Sequence, residues 1–446
     1  MCLVVAALSF SSAADNVVIA ASALRILSAI ALCLVLWQVI RSDTRAILVN
    51  PPLFLAVQAI LLYSVVLWLA RIVGSDEWAQ FLEKKQLRGY LGDSSEMLVL
   101  GFGAVCLAAA VYPSLRAAGP ALAEAERLRA IPDRLSLALV LIACTAAAFY
   151  VLQMVVPGVR TFAKTSLGSE IHAGAAPVLA FGLSAGVQAF ARRRALVQAG
   201  MIVAIGFCSW SMMLANQAPL TIFMVGALAL FWLSVAPLKS RRVFLWAGIV
   251  VAALLAIVAL KTKIINDRGL TERPVILEDV LVTKLVERQA VSAGCLKHVV
   301  DTYLGSGISG NPLYFAGAVV PRAVWPDKPN LSRGGEFGMH YCGIPVSAKK
   351  AHSETITLLG EPVLEAGAQG LAVAIAIVLG ISLLALRAAT GSSATCMITA
   401  VALVPWISTF QQHFALYIAN AAKMFVFMVP LIVIVRLAQR RSTSAV

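Results

Sequence analysis

Charge is what this chain has least of. Of its 446 residues only 13% are Asp, Glu, Lys or Arg, against 60% hydrophobic, whereas soluble domains carry about 25% charged residues. A soluble enzyme or binding module is thereby excluded as the fold class. Metal-ligand spacing is missing too. The five histidines form no HxxH or HExxH, and the eight cysteines fall into no such pattern, so neither a metal nor a cofactor is expected. A secretory leader is also absent on its usual criteria. The apolar stretch from Met1 to Ala14 has no positive n-region and no separate cleavage signal, and is taken as an interfacial or extended start of the first helix.

What takes the place of charge is length of apolar run. A helix needs about 20 apolar residues to cross roughly 30 Å of hydrocarbon, and eleven such runs occur, near 18–40, 48–72, 97–115, 135–156, 171–191, 196–214, 219–236, 244–265, 367–386, 394–410 and 414–435. Continuous runs of this length exclude a β-barrel and predict an all-α polytopic integral membrane protein, because lipid offers backbone groups no partners. Three regions follow. Residues 1–261 form a membrane domain with the first eight spans, 262–354 a large outer loop with amphipathic helices, and 355–446 a re-entrant segment with the last three spans.

Orientation follows from Lys and Arg in the short connections, since cytoplasmic loops keep the excess. One alternate set of loops holds 16 basic residues and the other holds 5. The amino terminus and the 262–354 segment therefore belong outside, and the carboxyl terminus inside. The net charge of +14 is mostly topological, and no nucleic-acid partner is needed. Arg192–Arg194 and Arg440–Arg441 fit anchors at anionic headgroups.

Cys33, Cys106, Cys144, Cys208 and Cys396 sit inside apolar spans, and Cys2 at the start, as small core residues. Only Cys295 and Cys342 fall in the outer segment, where an oxidising compartment permits a disulfide and spacing alone leaves the pairing open.

Several motifs carry two readings. Gly305-Ser306-Gly307-Ile308-Ser309-Gly310 matches the dinucleotide pattern GxGxxG, but no βαβ unit surrounds it, so it is taken as a turn between helices. Leu281–Val300 has helical apolar spacing with Lys284, Glu287, Arg288 and Lys297 on other faces. It predicts an amphipathic helix in which Arg288 either faces solvent or binds phosphate through its guanidinium fork. Tyr314–Val324 leads into Trp325-Pro326-Asp327-Lys328-Pro329, a turn held by two prolines, where Trp325 suits a membrane interface. His172, His298, His340, His352 and His413 all fall on or beside the outer side, where imidazole serves as general base, ligand or cap. Glu361 and Glu365 share a helical face where the chain re-enters the membrane. Carboxylates at that depth need partners, for which Arg25 and Lys423 are the deep cations available, and an ion pair and a substrate contact remain equal alternatives.

The run Val320-Pro321-Arg322, Trp325-Pro326-Asp327-Lys328-Pro329, Gly335-Glu336-Phe337-Gly338, Tyr341, Thr355, Gly360-Glu361, Gly367 and Gly370 resembles the large periplasmic loop of Wzy-type O-antigen and exopolysaccharide polymerases. The resemblance covers some fifty residues closely, and the order of spans extends it along the chain. It implies a bacterial inner-membrane glycosyltransferase of the GT-C type whose donor and acceptor are undecaprenyl diphosphate-linked oligosaccharides. An acceptor hydroxyl would attack the anomeric carbon of the donor, and lipid diphosphate would leave. Arg288, Arg322, Lys328 and Arg333 then match the cations that stabilise the leaving group without a metal, with Trp325 and Tyr341 beside the substrate. Glu361 and His352 are the candidate bases. The implied partners are the lipid bilayer, a chain-length regulator and a flippase. One departure is Asn216-Gln217-Ala218-Pro219, where many relatives carry an arginine. Rival functions are an O-antigen ligase, a flippase or transporter with Arg25, Lys423 and Glu365 along its path, and a catalytically inert assembly partner.

Overall fold

The computed structural model of the protein describes residues 14–42, 50–73, 89–111, 133–163, 286, 288–320, 324–325, 334–342, 356–390 and 393–443, with isolated positions between 165 and 178. Among these residues there is helix, turn and loop but no strand. Numbered in chain order, the helices are α1 (Ala14–Ser42), α2 (Pro51–Ala56), α3 (Val66–Val73), α4 (Ser94–Val111), α5 (Asp133–Val155), α6 (Pro157–Ala163), α7 (Arg288–Tyr303), α8 (Gly334–His340), α9 (Thr357–Thr390), α10 (Ala394–Ile407) and α11 (Phe414–Thr443). A π-helical stretch, Val57–Val65, joins α2 to α3, and a 3-10 turn, Tyr314–Val319, follows α7.

Four described helices are long and apolar enough to cross a membrane: Pro51–Ile72, Ser94–Val111, Thr357–Ala388 and Phe414–Arg440. A fifth results if Leu137–Gln153 and Pro157–Ala163, bent by 107°, form one span. The protein is thus an all-α membrane protein. Of the eleven expected spans, those near 171–191, 196–214, 219–236 and 244–265 lie outside the described residues, apart from isolated positions. Residues 18–40 and 394–410 correspond to α1, of 29 residues, and α10, of 14 residues.

Local chemistry explains where the elements begin. Asn50 starts α2 by accepting the Leu53 amide at 3.1 Å, with prolines in the first turn, the placement that proline tolerates best. The same side chain donates to Ala110 O at 3.1 Å, so one residue both caps α2 and fastens the far end of α4. Gly103 of α4 faces the π-helical stretch closely enough that an added Cβ would stand 2.6 Å from Ile60 Cγ1. Small residues at membrane helix contacts permit this approach. Gln58 joins this layer to the turn before α11 by donating to Ser408 O and accepting the Phe410 amide. Phe410 then packs edge-on against Tyr63 at 5.0 Å and stacks on Phe102 at 5.6 Å. Around that seam α9 packs on α10, α10 on α11, and α7 on α9.

Helix α9 is not continuous. Ala366 and Gly367 have non-helical backbone, with Gly367 at φ 58°, so a buried half-helix, 357–365, precedes the apolar stretch from 368 onward. The apolar run expected from 367 therefore marks the break, and the helix itself begins ten residues earlier.

Candidate functional site

The half-helix is where the sequence-predicted acids meet α7, α8 and the start of α11. Glu361 is 1% exposed, and its Oε2 accepts the Ala415 amide at 2.9 Å. It therefore binds the first turn of α11, where unpaired N–H groups and the helix dipole favour a carboxylate. Glu365, one turn on, is also buried. The shared face expected for the two acids is present.

The half-helix starts under strain. Thr357 is buried and has φ 65°, the one non-glycine with positive φ among the described residues, a conformation that costs about 1–3 kcal/mol and concentrates at functional sites. Its Oγ1 accepts the Leu359 amide at 3.3 Å, and Leu358 N donates to Phe410 O at 3.0 Å.

The half-helix ends on the glycine-rich loop 304–310. At the break, Ile308 N donates to Leu364 O at 2.8 Å, and the amides of Ser309 and Gly310 donate to Glu365 O at 3.0 Å each. Ser309 Oγ donates to the same carbonyl at 2.8 Å, and Ala368 N returns a bond to Leu304 O at 2.9 Å. The pseudo-dinucleotide motif is thus a stitch that satisfies carbonyls freed by the broken helix. Gly307, at φ +68°, is required by this contact. A Cβ there would stand 2.5 Å from Glu365 O, and one on Gly367 would stand 2.7 Å from Leu304 O.

Helices α7 and α8 lie beside this assembly, tied by a disulfide between Cys295 and Cys342 whose Cα atoms are 4.6 Å apart. Phe337 of α8 packs on the buried His413 ring at 4.8 Å, two residues before the amide that Glu361 accepts. Tyr341 meets Tyr303 edge-on at 6.0 Å and Phe337 at 5.9 Å. Ser292 of α7 accepts from Gln411 at 3.3 Å in the turn leading to α11. Arg288 is exposed, at the first residue of α7 and four residues before Ser292; residues 281–285 and 287 of the expected helix lie outside the described residues. Trp325 is exposed, with its ring against Gly317. Arg322, Lys328, Arg333 and His352 lie outside the described residues.

The structure therefore brings together Glu361, Tyr341, His413, Phe337 and the α7–α8 pair. Of the other expected histidines, His298 and His340 are exposed, and His172 lies outside the described residues. From the sequence His413 was one of five histidines expected on or beside the outer side; its place against Phe337 depends on α8.

A second charged cluster was not expected. Arg25 makes a bidentate pair with Glu96, Nε to Oε1 at 2.9 Å and Nη2 to Oε2 at 2.8 Å, with both side chains buried. Ser64 donates to Glu96 Oε1, Gly92 N donates to Oε2 at 2.7 Å, and the guanidinium lies 5.4 Å from the Trp68 ring centre. Arg25 is thus committed to Glu96, not to Glu361 or Glu365. Beyond it, Lys297 of α7 bonds Asp93 at 3.0 Å and Asp301 at 2.6 Å. Partial burial pushes the Asp93 carboxyl up, but the hydrogen bond and charge of Lys297, with Ser94 and Ser95, outweigh it and leave the group below its usual range. Among the described residues no group of three or more His, Cys, Asp or Glu is placed to hold a metal ion. Comparison with known proteins finds no matching family model, no matching curated protein and no matching solved structure.

Proposed function

We propose that the protein polymerises undecaprenyl diphosphate-linked oligosaccharide repeat units into O-antigen or exopolysaccharide, as a metal-independent glycosyltransferase of the bacterial inner membrane with its site on the periplasmic face. The observation that carries this reading is the disulfide-tied α7–α8 pair packed beside the buried, acid-bearing half-helix. That pair brackets the Pro321-Arg322 and Trp325–Pro329 segment in sequence. A disulfide fits an oxidising compartment, in keeping with an outer location for residues 262–354; eleven spans, an outer amino terminus and an inner carboxyl terminus are proposed with it from the sequence.

In the proposed reaction the acceptor hydroxyl oxygen bonds to the donor's anomeric carbon as the bond from that carbon to the diphosphate oxygen breaks. The diphosphate leaves with the bonding pair, and the hydroxyl proton passes to a base. Arg322, with Lys328, Arg333 and Arg288, stabilises the charge on the leaving group. Trp325 and Tyr341 offer ring faces to substrate. His352 and Glu361 are the two bases proposed for the proton. Glu361 also anchors α11, so its two roles need separate tests. The transporter alternative loses one of its three path residues, because Arg25 is held in a bidentate pair.

The reading is tested by Arg322→Ala expressed at normal level in the membrane. Single repeat units should accumulate on the lipid carrier. Polymer of normal length would remove the proposed role, and a deletion strain that still makes long polymer but leaves it unattached to lipid A core would point to a ligase.

A further inference from the structure

Between α7 and α8 the chain is short of charge even by its own standard. From Thr302 to Pro326, twenty-five residues outside any described span, the sole charged side chain is Arg322. Phe315 and Ala318 of this stretch are buried, but five of its larger apolar residues are not withdrawn into the core. Ile308 is 50% exposed, Leu313 58%, Val319 50%, Val324 74% and Trp325 42%. Isolated apolar residues on a surface are ordinary, but a run of this kind with so little charge marks an interaction face.

The location of the stretch favours lipid as the covering partner. Phe315 of the 3-10 turn packs edge-on against Phe414, the first residue of α11, at 5.1 Å, and Tyr314 lies 6.4 Å from the same ring. Farther along α11, Phe425, Val426, Val429 and Val433 are exposed along a candidate span. Ile308 sits at the break in α9, whose next turn begins the exposed part of a second candidate span at Ala368 and Gln369. The exposed apolar stretch thus continues the outward faces of two spans at the end where both enter the bilayer.

Part of its backbone is satisfied without water. The amides of Ile308, Ser309 and Gly310 are donated to α9, Leu313 N to Asn311 Oδ1 at 2.9 Å, and Ala316 N to Leu313 O at 2.9 Å. A segment with these amides satisfied, a tryptophan at its end and, in sequence, cations at Arg322, Lys328 and Arg333 in or just after it has the composition of an interfacial element on anionic phospholipid.

We propose that the exposed residues Ile308, Leu313, Val319, Val324 and Trp325 form a monotopic docking surface for bilayer phospholipid, seated in the interface beside the outer ends of α9 and α11. Its exposed apolar side chains enter the acyl boundary. The surface does not depend on which reaction the protein catalyses.

The test uses the full chain reconstituted in phosphatidylcholine–phosphatidylglycerol vesicles, taking the Trp325 signal as the fluorescence difference between wild type and Trp325→Phe. That difference should lose most of its intensity with lipids brominated close to the headgroup, less with lipids brominated at the chain ends, and little with aqueous iodide. Quenching by iodide without a bromolipid effect would place the surface in solvent. Quenching by neither would place protein over it, a second copy included, and either result overturns the proposal. Should Trp325→Phe fail to insert, Leu313→Trp compared with wild type must show the same order of quenchers, and the reverse order would overturn it equally.

Discussion

Glu361 illustrates how a single side chain can be legible in position and not in role. Its depth and its pairing with Glu365 on one face follow from the sequence. Its bond to the Ala415 amide, 54 positions away, does not, because it depends on how α11 meets the half-helix. The two roles separate by substitution. Glu361→Gln keeps an acceptor for the amide and removes the base, whereas Glu361→Ala removes both. If anchoring is the main role, the Gln variant retains most polymerising activity and thermal stability in detergent, and the Ala variant loses stability by about 1–3 kcal/mol. If Glu361 is the base, the Gln variant is stable and inactive, with the rate falling by about 100-fold or more.

Arg25 and Glu96 are the residues whose pairing the sequence hid most completely. They stand 71 positions apart, and Glu96 closes what reads as a polar loop, although it lies in the first turn of α4. Removing one member of a buried pair leaves an uncompensated charge, at a cost of about 3–5 kcal/mol. Glu96→Ala should therefore unfold far more easily in detergent than Arg25→Met with Glu96→Leu combined. Equal losses in single and double variants would show that the two charges do not stabilise each other.

At the scale of elements, the broken helix and its stitch are the feature that residue patterns describe least well. Apolar run length located the span of α9 at 367 because hydropathy registers lipid exposure, and the half-helix before it is covered by protein and so need not be uniformly apolar. The glycine-rich loop looked like a turn, and it is one. That its amides serve carbonyls some fifty-six residues later is a tertiary fact with no local signature. Gly307→Ala would bring a Cβ against the backbone of Glu365 and Ala366 at a positive φ, neither of which can move aside cheaply. It should detach the loop and cost at least about 1–2 kcal/mol from backbone strain alone. Gly305→Ala, two residues earlier with nothing within 4 Å, should be nearly silent. Hydrogen exchange at residues 308–310 reports the difference, and equal protection in both variants would contradict the stitch. The disulfide belongs to this scale as well. Closing a 47-residue separation contributes about 4 kcal/mol on the chain-entropy account, yet two outer cysteines among eight left the pairing open until α7 and α8 were placed.

For the whole molecule, class was the most legible property. An all-α membrane protein follows from 60% hydrophobic and 13% charged residues, and the described helices agree, with four of them able to span. The proposed function rests on a narrower base: the resemblance of some fifty residues, and a geometry that gathers Glu361, Tyr341 and the disulfide-tied helices beside the broken helix α9. The cations proposed to hold the diphosphate are sequence-adjacent to that assembly. Their chemistry is testable without further structural detail, because glycosyl transfer between two lipid-linked substrates needs no partner protein to produce a bond. The most direct measurement is to reconstitute the purified protein alone in vesicles with undecaprenyl diphosphate-linked repeat units and a chelator, and to separate the lipid-linked sugars by size. The account predicts a ladder of lengthening chains with free undecaprenyl diphosphate released in proportion. Single repeat units left unchanged in the presence of folded protein, or a ladder that appears only when a divalent metal is restored, would contradict it.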